Sequence, residues 1–170
     1  MRLKKDSSEQ KLRGAYYTPQ KLANAMVRLF ASENIDAVLE PSCGDGVFLD
    51  ALKEAGLLDK VSRVEAVEIE TPEAQKVSGR YKDTPKVKVI NRDFFDFYKE
   101  TLGKKTYDLI LGNPPYIRYQ YLKESQRECQ AQILTSHGMK SNKLINAWVA
   151  FMVASVQMPV SYTHLTLPTI

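Results

Sequence analysis

Asp36-Ala37-Val38-Leu39-Glu40-Pro41-Ser42-Cys43-Gly44-Asp45-Gly46 is the stretch on which the fold turns. Asp36 to Glu40 reads as a short buried strand that runs straight into Pro41. Two glycines follow within three residues, and then Phe48, Leu49, Leu52 and Ala55 recur with helical spacing until Gly56. Strand, glycine turn and helix form one unit, in which backbone can approach a ligand and the helix start offers free N–H groups. The spacing is not that of the dinucleotide fingerprint, so the turn is not shaped for a pyrophosphate. Glu40, an acid at the strand end, points to a ligand carrying a positive group.

Working outward, the same unit repeats. Arg63 to Val67 reads as a second strand ending in Glu68-Ile69-Glu70, with Thr71 and Pro72 opening a helix. Glu68 stands roughly twenty residues past the glycine turn, where an acid reaches ribose hydroxyls in nucleotide-binding α/β folds. Val87 to Ile90 is a third strand, closed by Asn91-Arg92-Asp93-Phe94-Phe95. Asp93 beside Phe94 offers an acceptor for an amino group next to an apolar wall, as an adenine ring needs. Tyr107 to Leu111 is a fourth strand, and it runs into Gly112-Asn113-Pro114-Pro115-Tyr116. Two successive prolines cannot donate to a ladder, so the chain turns there. That turn presents one amide side chain, free carbonyls and an aromatic ring on a stiff support. The set suits a planar conjugated amine: the Asn113 side-chain oxygen and the Pro114 carbonyl each accept one N–H, the nitrogen pyramidalises, and Tyr116 lies against the planar group. Four loaded turns at four strand ends predict a parallel sheet with a ligand at its C-terminal edge.

Upstream, residues through Arg13 are polar and charged and are expected to form a flexible basic arm. In Tyr16-Tyr17-Thr18-Pro19, Thr18 is a candidate N-cap, and Leu22, Met26, Leu29 and Phe30 fall on one helical face expected to be buried. Downstream, Tyr119, Tyr121, Lys123, Arg127 and Lys140 mix aromatic and basic character in a helix and loop that could track a nucleic-acid backbone. A last helix is expected to bury Leu144, Trp148, Phe151, Met152 and Ser155 as far as Pro159.

Composition narrows the classes. A chain of 170 residues with 44% hydrophobic content suffices for one core. No apolar run spans a membrane and no secretory signal is present, so the expected location is cytoplasmic. Two cysteines and two histidines give neither a disulfide framework nor a metal-ligand pattern. The net charge of +4 leans weakly towards a polyanionic partner.

Tyr-Thr-Pro, Leu-Glu-Pro-Ser-Cys-Gly-Asp-Gly-Val-Phe-Leu, Val-Glu-Ile-Glu, Arg-Asp-Phe-Phe and Asn-Pro-Pro-Tyr-Ile-Arg occur here in the order in which they occur in gamma-type adenine-specific DNA methyltransferases of restriction-modification systems, and the chain resembles that family from about Gly14 to Pro159. The resemblance implies an α/β, Rossmann-like fold dependent on S-adenosylmethionine. Thr18, Glu40, Pro41, Ser42, Cys43, Gly44, Gly46, Glu68, Asp93, Phe94 and Pro115 would line the cofactor site. Asn113, Pro114 and Tyr116 would hold an adenine flipped out of double-stranded DNA while its N6 attacks the sulfonium methyl. Protein glutamine, RNA adenine and a non-catalytic nucleic-acid-binding module are the rival readings.

The family's sheet has seven strands followed by a DNA-reading region, whereas only four strands are legible here. Val160 to Thr169 resembles the translation of a sequencing-library adapter. The expected organisation is therefore an arm (1–13), a partial catalytic domain truncated after about four strands (14–159), and a non-native tail (160–170) lying loosely on the surface. A C-terminal DNA-recognition region would be missing, and the fragment itself is expected to be inactive.

Overall fold

The computed structural model describes residues 17–142, 146–158 and, by backbone alone, 160–165. The expected arm, Gly14 to Tyr16, Leu144, Pro159 and the end of the tail lie outside the described residues. The elements run α1 (Gln20–Arg28), β1 (Ala37–Glu40), α2 (Val47–Glu54), α3 (Leu57–Lys60), β2 (Arg63–Glu68), α4 (Thr71–Arg80), β3 (Val87–Asn91), α5 (Phe94–Thr101) and β4 (Tyr107–Gly112). A 3-10 turn (Tyr119–Tyr121), α6 (Glu124–Thr135), α7 (Ala147–Gln157) and β5 (Val160–Leu165) complete the chain.

All strands are parallel, in the order β3-β2-β1-β4-β5. All four residues of central β1 are buried, which is why it reads as a continuous apolar run, whereas edge strand β3 is half exposed. Side chains alternate between two cores. Val38, Val64, Ala66, Leu109 and Leu111 pack under α1 to α4 with Phe48, Leu49 and Leu52. Leu39, Val67 and Ile110 pack on the opposite face against Phe94, Phe95, Ile133, Phe151 and Ala154 of α5 to α7. Helices on both faces leave the strand ends open, with β1 flanked by β2 on one side and β4 on the other.

The four expected strands and their turns are present, and four details differ. The buried face of α1 is Ala23, Met26 and Val27, with Phe30 packed on the core, while Leu22 and Leu29 are exposed. Ala23, Met26 and Val27 belong to the core cluster that holds Phe48, Leu49 and Leu52 of α2. Thr18 makes no capping bond; the Pro19 carbonyl instead accepts from the Leu22 and Ala23 N–H groups at 2.9 and 3.1 Å. In α7 the buried stripe is Ala147, Ala150, Phe151, Ala154 and Ser155, with Trp148 and Met152 only half buried. Alanines let that helix approach closely, and Phe151 stacks on Phe94 and meets Phe95 edge-on, each at 4.8 Å between centroids.

The fourth difference is a correction. The tail does not lie loose: Val160–Leu165 pairs with β4 from Tyr107↔Val160 to Gly112↔Leu165, giving five strands where four were expected. β4 offers an unpaired row of backbone groups, and an extended segment rich in Val, Tyr and Thr satisfies them whatever its side chains do next.

Glu65 is a charge inside β2 that the apolar pattern does not flag. It is 3% exposed and accepts from Lys105 Nζ at 2.6 Å and Tyr107 Oη at 2.7 Å. Burial alone would push its carboxyl up, but those bonds and the Lys105 and Arg63 charges hold it below the ordinary value.

Candidate active site

The ends of β1, β2 and β4 frame a cleft of about 610 Å³. Its floor is the glycine turn. Cys43 N–H donates to the Val67 carbonyl at 2.9 Å, tying the turn to β2, and Gly46 N–H donates to the Cys43 carbonyl at 2.8 Å. Gly44 and Gly46 both hold left-handed backbone, with φ of 53° and 83°. A Cβ on Gly46 would lie 3.1 Å from the Val77 side chain, so this glycine seats α2 against α4 and does not face the cleft. Gly46→Ala is expected to cost about 1–2 kcal/mol from backbone conformation alone, read as a lowered midpoint in urea unfolding.

Two carboxylates stand over the turn. Glu68 accepts from Gly44 N–H at 2.8 Å and from Glu70 N–H at 2.7 Å, so it fixes the turn as well as lining the cleft. Burial still pushes its carboxyl up, against those bonds. Glu40 is 2% exposed and neither carboxylate oxygen has a hydrogen-bond partner. Burial, and then the charges of Asp45, Glu68 and Asp50, raise it well above the ordinary carboxylate range. A buried acid without donors suits a cationic group arriving from the cleft.

Asp93 caps α5. One oxygen accepts from Phe95 N–H at 2.8 Å, and the other from Gln126 Nε2 of α6 at 2.6 Å. Opposite, the Ser42 hydroxyl donates to the Asn113 carbonyl at 3.2 Å, binding the turn after β4 to the glycine turn after β1. Gly112 lies at this approach, where a Cβ would sit at contact distance, 3.4 Å from Pro41 Cδ and 3.7 Å from Glu40 Cγ.

Of the residues singled out from sequence, Thr18, Glu40, Pro41, Ser42, Cys43, Gly44, Glu68, Asp93, Phe94, Asn113 and Pro115 line this one cleft. Pro114 is buried behind it, and Tyr116 is 40% exposed, outside the lining. Sequence reading did not find Gln126, Gln130 or Leu122 as cleft residues; they come from α6 and the turn before it, and only the fold brings them over Asp93. Among the described residues no cluster of His, Cys, Asp or Glu could hold a metal ion, and no helix is long and apolar enough to cross a membrane.

Residues 51–167, more than half of the chain, match the Eco57I restriction-modification methylase family. This chain belongs to that family. Among the family's relatives, the type II methyltransferase M.HincII of Haemophilus influenzae is 30% identical over 151 residues, an alignment that takes in 89% of this chain and 26% of that protein. The chain therefore spans about a quarter of the length of such a relative. In fold it is similar to the methyltransferase subunit of a type I restriction-modification system from Streptococcus thermophilus, with a TM-score of 0.66, 20% identity, and coverage of 85% of this chain and 32% of that one. A Listeria monocytogenes structure assigned to the class I S-adenosylmethionine-dependent methyltransferases gives a TM-score of 0.63 at 13% identity, covering 85% of this chain and 44% of that one. The α/β fold of this Eco57I-family chain is thus the Rossmann-like methyltransferase fold.

Proposed function

We propose that this chain is the catalytic part of a longer cytoplasmic enzyme that transfers a methyl group from S-adenosylmethionine to N6 of an adenine flipped out of duplex DNA. The observation that carries the reading is the hydrogen bond from Ser42 to the Asn113 carbonyl, which brings the amine-binding turn against the ligand-binding turn. Transfer between two substrates needs their two sites in contact.

The cleft fits the cofactor. Glu40 supplies a negative charge for the ammonium of its amino-acid part, the backbone at Cys43 and Gly44 lets that part lie close, Glu68 accepts from ribose hydroxyls, and Asp93 accepts from the adenine amine. When bound, S-adenosylmethionine supplies an electrophilic methyl on its sulfonium. The Asn113 side-chain oxygen and the Pro114 carbonyl accept the two N–H bonds of the target amine, which draws the lone pair out of conjugation. Pro115 stiffens the turn, and Tyr116, exposed at the rim, meets the face of the incoming base. The proposed partner is double-stranded DNA, read by a C-terminal region beyond these residues. The 170 residues alone, about a quarter of the length of such a relative, are proposed to be inactive in transfer.

Calorimetric titration with S-adenosylhomocysteine tests the cofactor half, and it carries a pH signature. The raised Glu40 carboxyl holds its proton to a higher pH in the folded chain than in the unfolded one. Its contribution to stability is therefore fullest at low pH and declines as pH rises above the ordinary carboxylate range. A bound ammonium favours the ionised form, so binding is expected to release a proton in that window and to tighten as pH rises through it. Comparing buffers of different ionisation enthalpy reads the release, and Glu40→Gln is expected to remove it. Binding with no proton release in the wild type would mean that Glu40 does not meet the ammonium.

A further inference from the structure

The segment that follows Tyr116 is short of regular structure and is held from α6. Its regular structure is one 3-10 turn of three residues, Tyr119–Tyr121. Arg127, half-buried on α6, reaches back over that turn. Its Nε donates to the Tyr119 carbonyl at 3.2 Å and its Nη2 to the Gln120 carbonyl at 3.0 Å, while the guanidinium carbon lies 5.1 Å from the centroid of the Tyr119 ring. One planar fork thus meets two carbonyls and a ring face at once, which the point charge of a lysine does not reproduce. The segment is also pinned at its ends: the Ile117 carbonyl accepts from Ala147 N–H of α7 at 3.0 Å, and Leu122 is buried. Ile117, Tyr121 and Leu122 line the cleft, and Tyr116 stands at its rim. By sequence Arg127 belongs with the residues that could track a nucleic-acid backbone, but in the fold its donors are turned on this chain's own carbonyls.

We propose that Arg127 is a positioning residue: it latches the segment 117–122 to α6, and through that segment fixes Tyr116 and the mouth of the cleft for the incoming base. The role at the base rests on the functional reading given above, whereas the latch itself does not. Without the guanidinium, the Tyr119 and Gln120 carbonyls turn to water and the chain directly after Tyr116 gains freedom. A ring that must meet a base face-on loses its fixed tilt, and misplacement of a bound group by a fraction of its own width falls on the rate of transfer.

Hydrogen exchange on the 170-residue chain tests the latch without reference to activity. The Tyr121 and Leu122 amides donate within the turn, to the Arg118 and Tyr119 carbonyls at 2.9 and 3.2 Å. In Arg127→Ala and Arg127→Lys they are expected to exchange about tenfold faster or more, the range of one charge-assisted hydrogen bond, with melting temperature and S-adenosylhomocysteine affinity near wild type. In the longer enzyme acting on adenine-containing duplex DNA, both variants are expected to lower kcat by about 10–100-fold, with KM for DNA within about twofold and the salt dependence of DNA binding unchanged. A phosphate contact has the opposite signature. Arg127→Ala would then reduce the slope of log affinity against log salt by about one, and Arg127→Lys, which keeps the charge, would restore both slope and activity. That outcome overturns the assignment, as does unchanged exchange, or faster exchange with wild-type kcat. If Arg127→Ala fails to fold, Arg127→Lys decides. A wild-type enzyme that binds the cofactor but leaves the duplex unmethylated overturns the functional reading, and with it the role at the base, whatever the exchange result.

Discussion

Asn113→Ala in the longer enzyme is expected to lower kcat on the order of 10²–10³-fold, the loss seen when one preorganised polar group at a reacting centre is removed, and to leave S-adenosylhomocysteine affinity within about twofold. The amide oxygen accepts from an amine whose N–H groups become more acidic as the N–C bond forms, the S–C bond breaks and positive charge builds on the nitrogen, so the interaction strengthens on the way to the transition state. The turn itself should survive the change. It is held by the Ser42 bond to the Asn113 carbonyl and by buried Pro114, neither of which needs the Asn113 side chain. Single-turnover methyl transfer separates the two quantities, and wild-type turnover would remove Asn113 from the chemistry. Tyr116 gives a graded companion. Stacking needs the ring alone, so Tyr116→Phe is expected to retain most activity and Tyr116→Ala to lose it; equal loss in both would assign the role to the hydroxyl.

Deleting residues 160–170 is expected to abolish the monomeric, cooperatively melting form of the 170-residue chain. β5 covers the whole length of β4 from Tyr107 to Gly112. Without it, Leu109, Ile110 and Leu111, each no more than 2% exposed, sit on a strand whose outer backbone groups are open to another chain. Size-exclusion chromatography and a thermal melt of the two forms read the outcome. An unchanged melting temperature and monomer fraction would show that β4 needs no neighbour.

What could be read from the sequence follows from where the information is local. β1, β2 and β4 are apolar runs ended by Pro, acid or Gly-Asn-Pro-Pro, and punctuation of that kind survives folding. The glycine turn and the acids at the strand ends were legible for the same reason, and eleven of the residues chosen from sequence share one cleft. The misread features depend on tertiary partners. In α7 large apolar residues suggested the buried stripe, but three alanines share it with Phe151 and Ser155, because a close approach favours small side chains; in α1 the stripe keeps Met26 but takes Ala23 and Val27 in place of Leu22 and Leu29. β5 takes its structure from the open edge of β4, not from its own pattern. Glu65 is tolerable in β2 only because Lys105 and Tyr107, some forty residues on, reach it. Gln126 and Gln130 belong to a polar helix that any solvated surface would explain, until Asp93 is seen bonded to one of them.

The central claim is methyl transfer to N6 of adenine in DNA, and product analysis tests it most directly. The longer enzyme is incubated with S-adenosylmethionine labelled in its methyl group and with adenine-containing duplex DNA, an RNA and a glutamine peptide together, and the products are digested and resolved. Label recovered as N6-methyladenine from the duplex is the predicted result. Label in RNA, glutamine or another base, or none from a protein that still binds the cofactor, would contradict it.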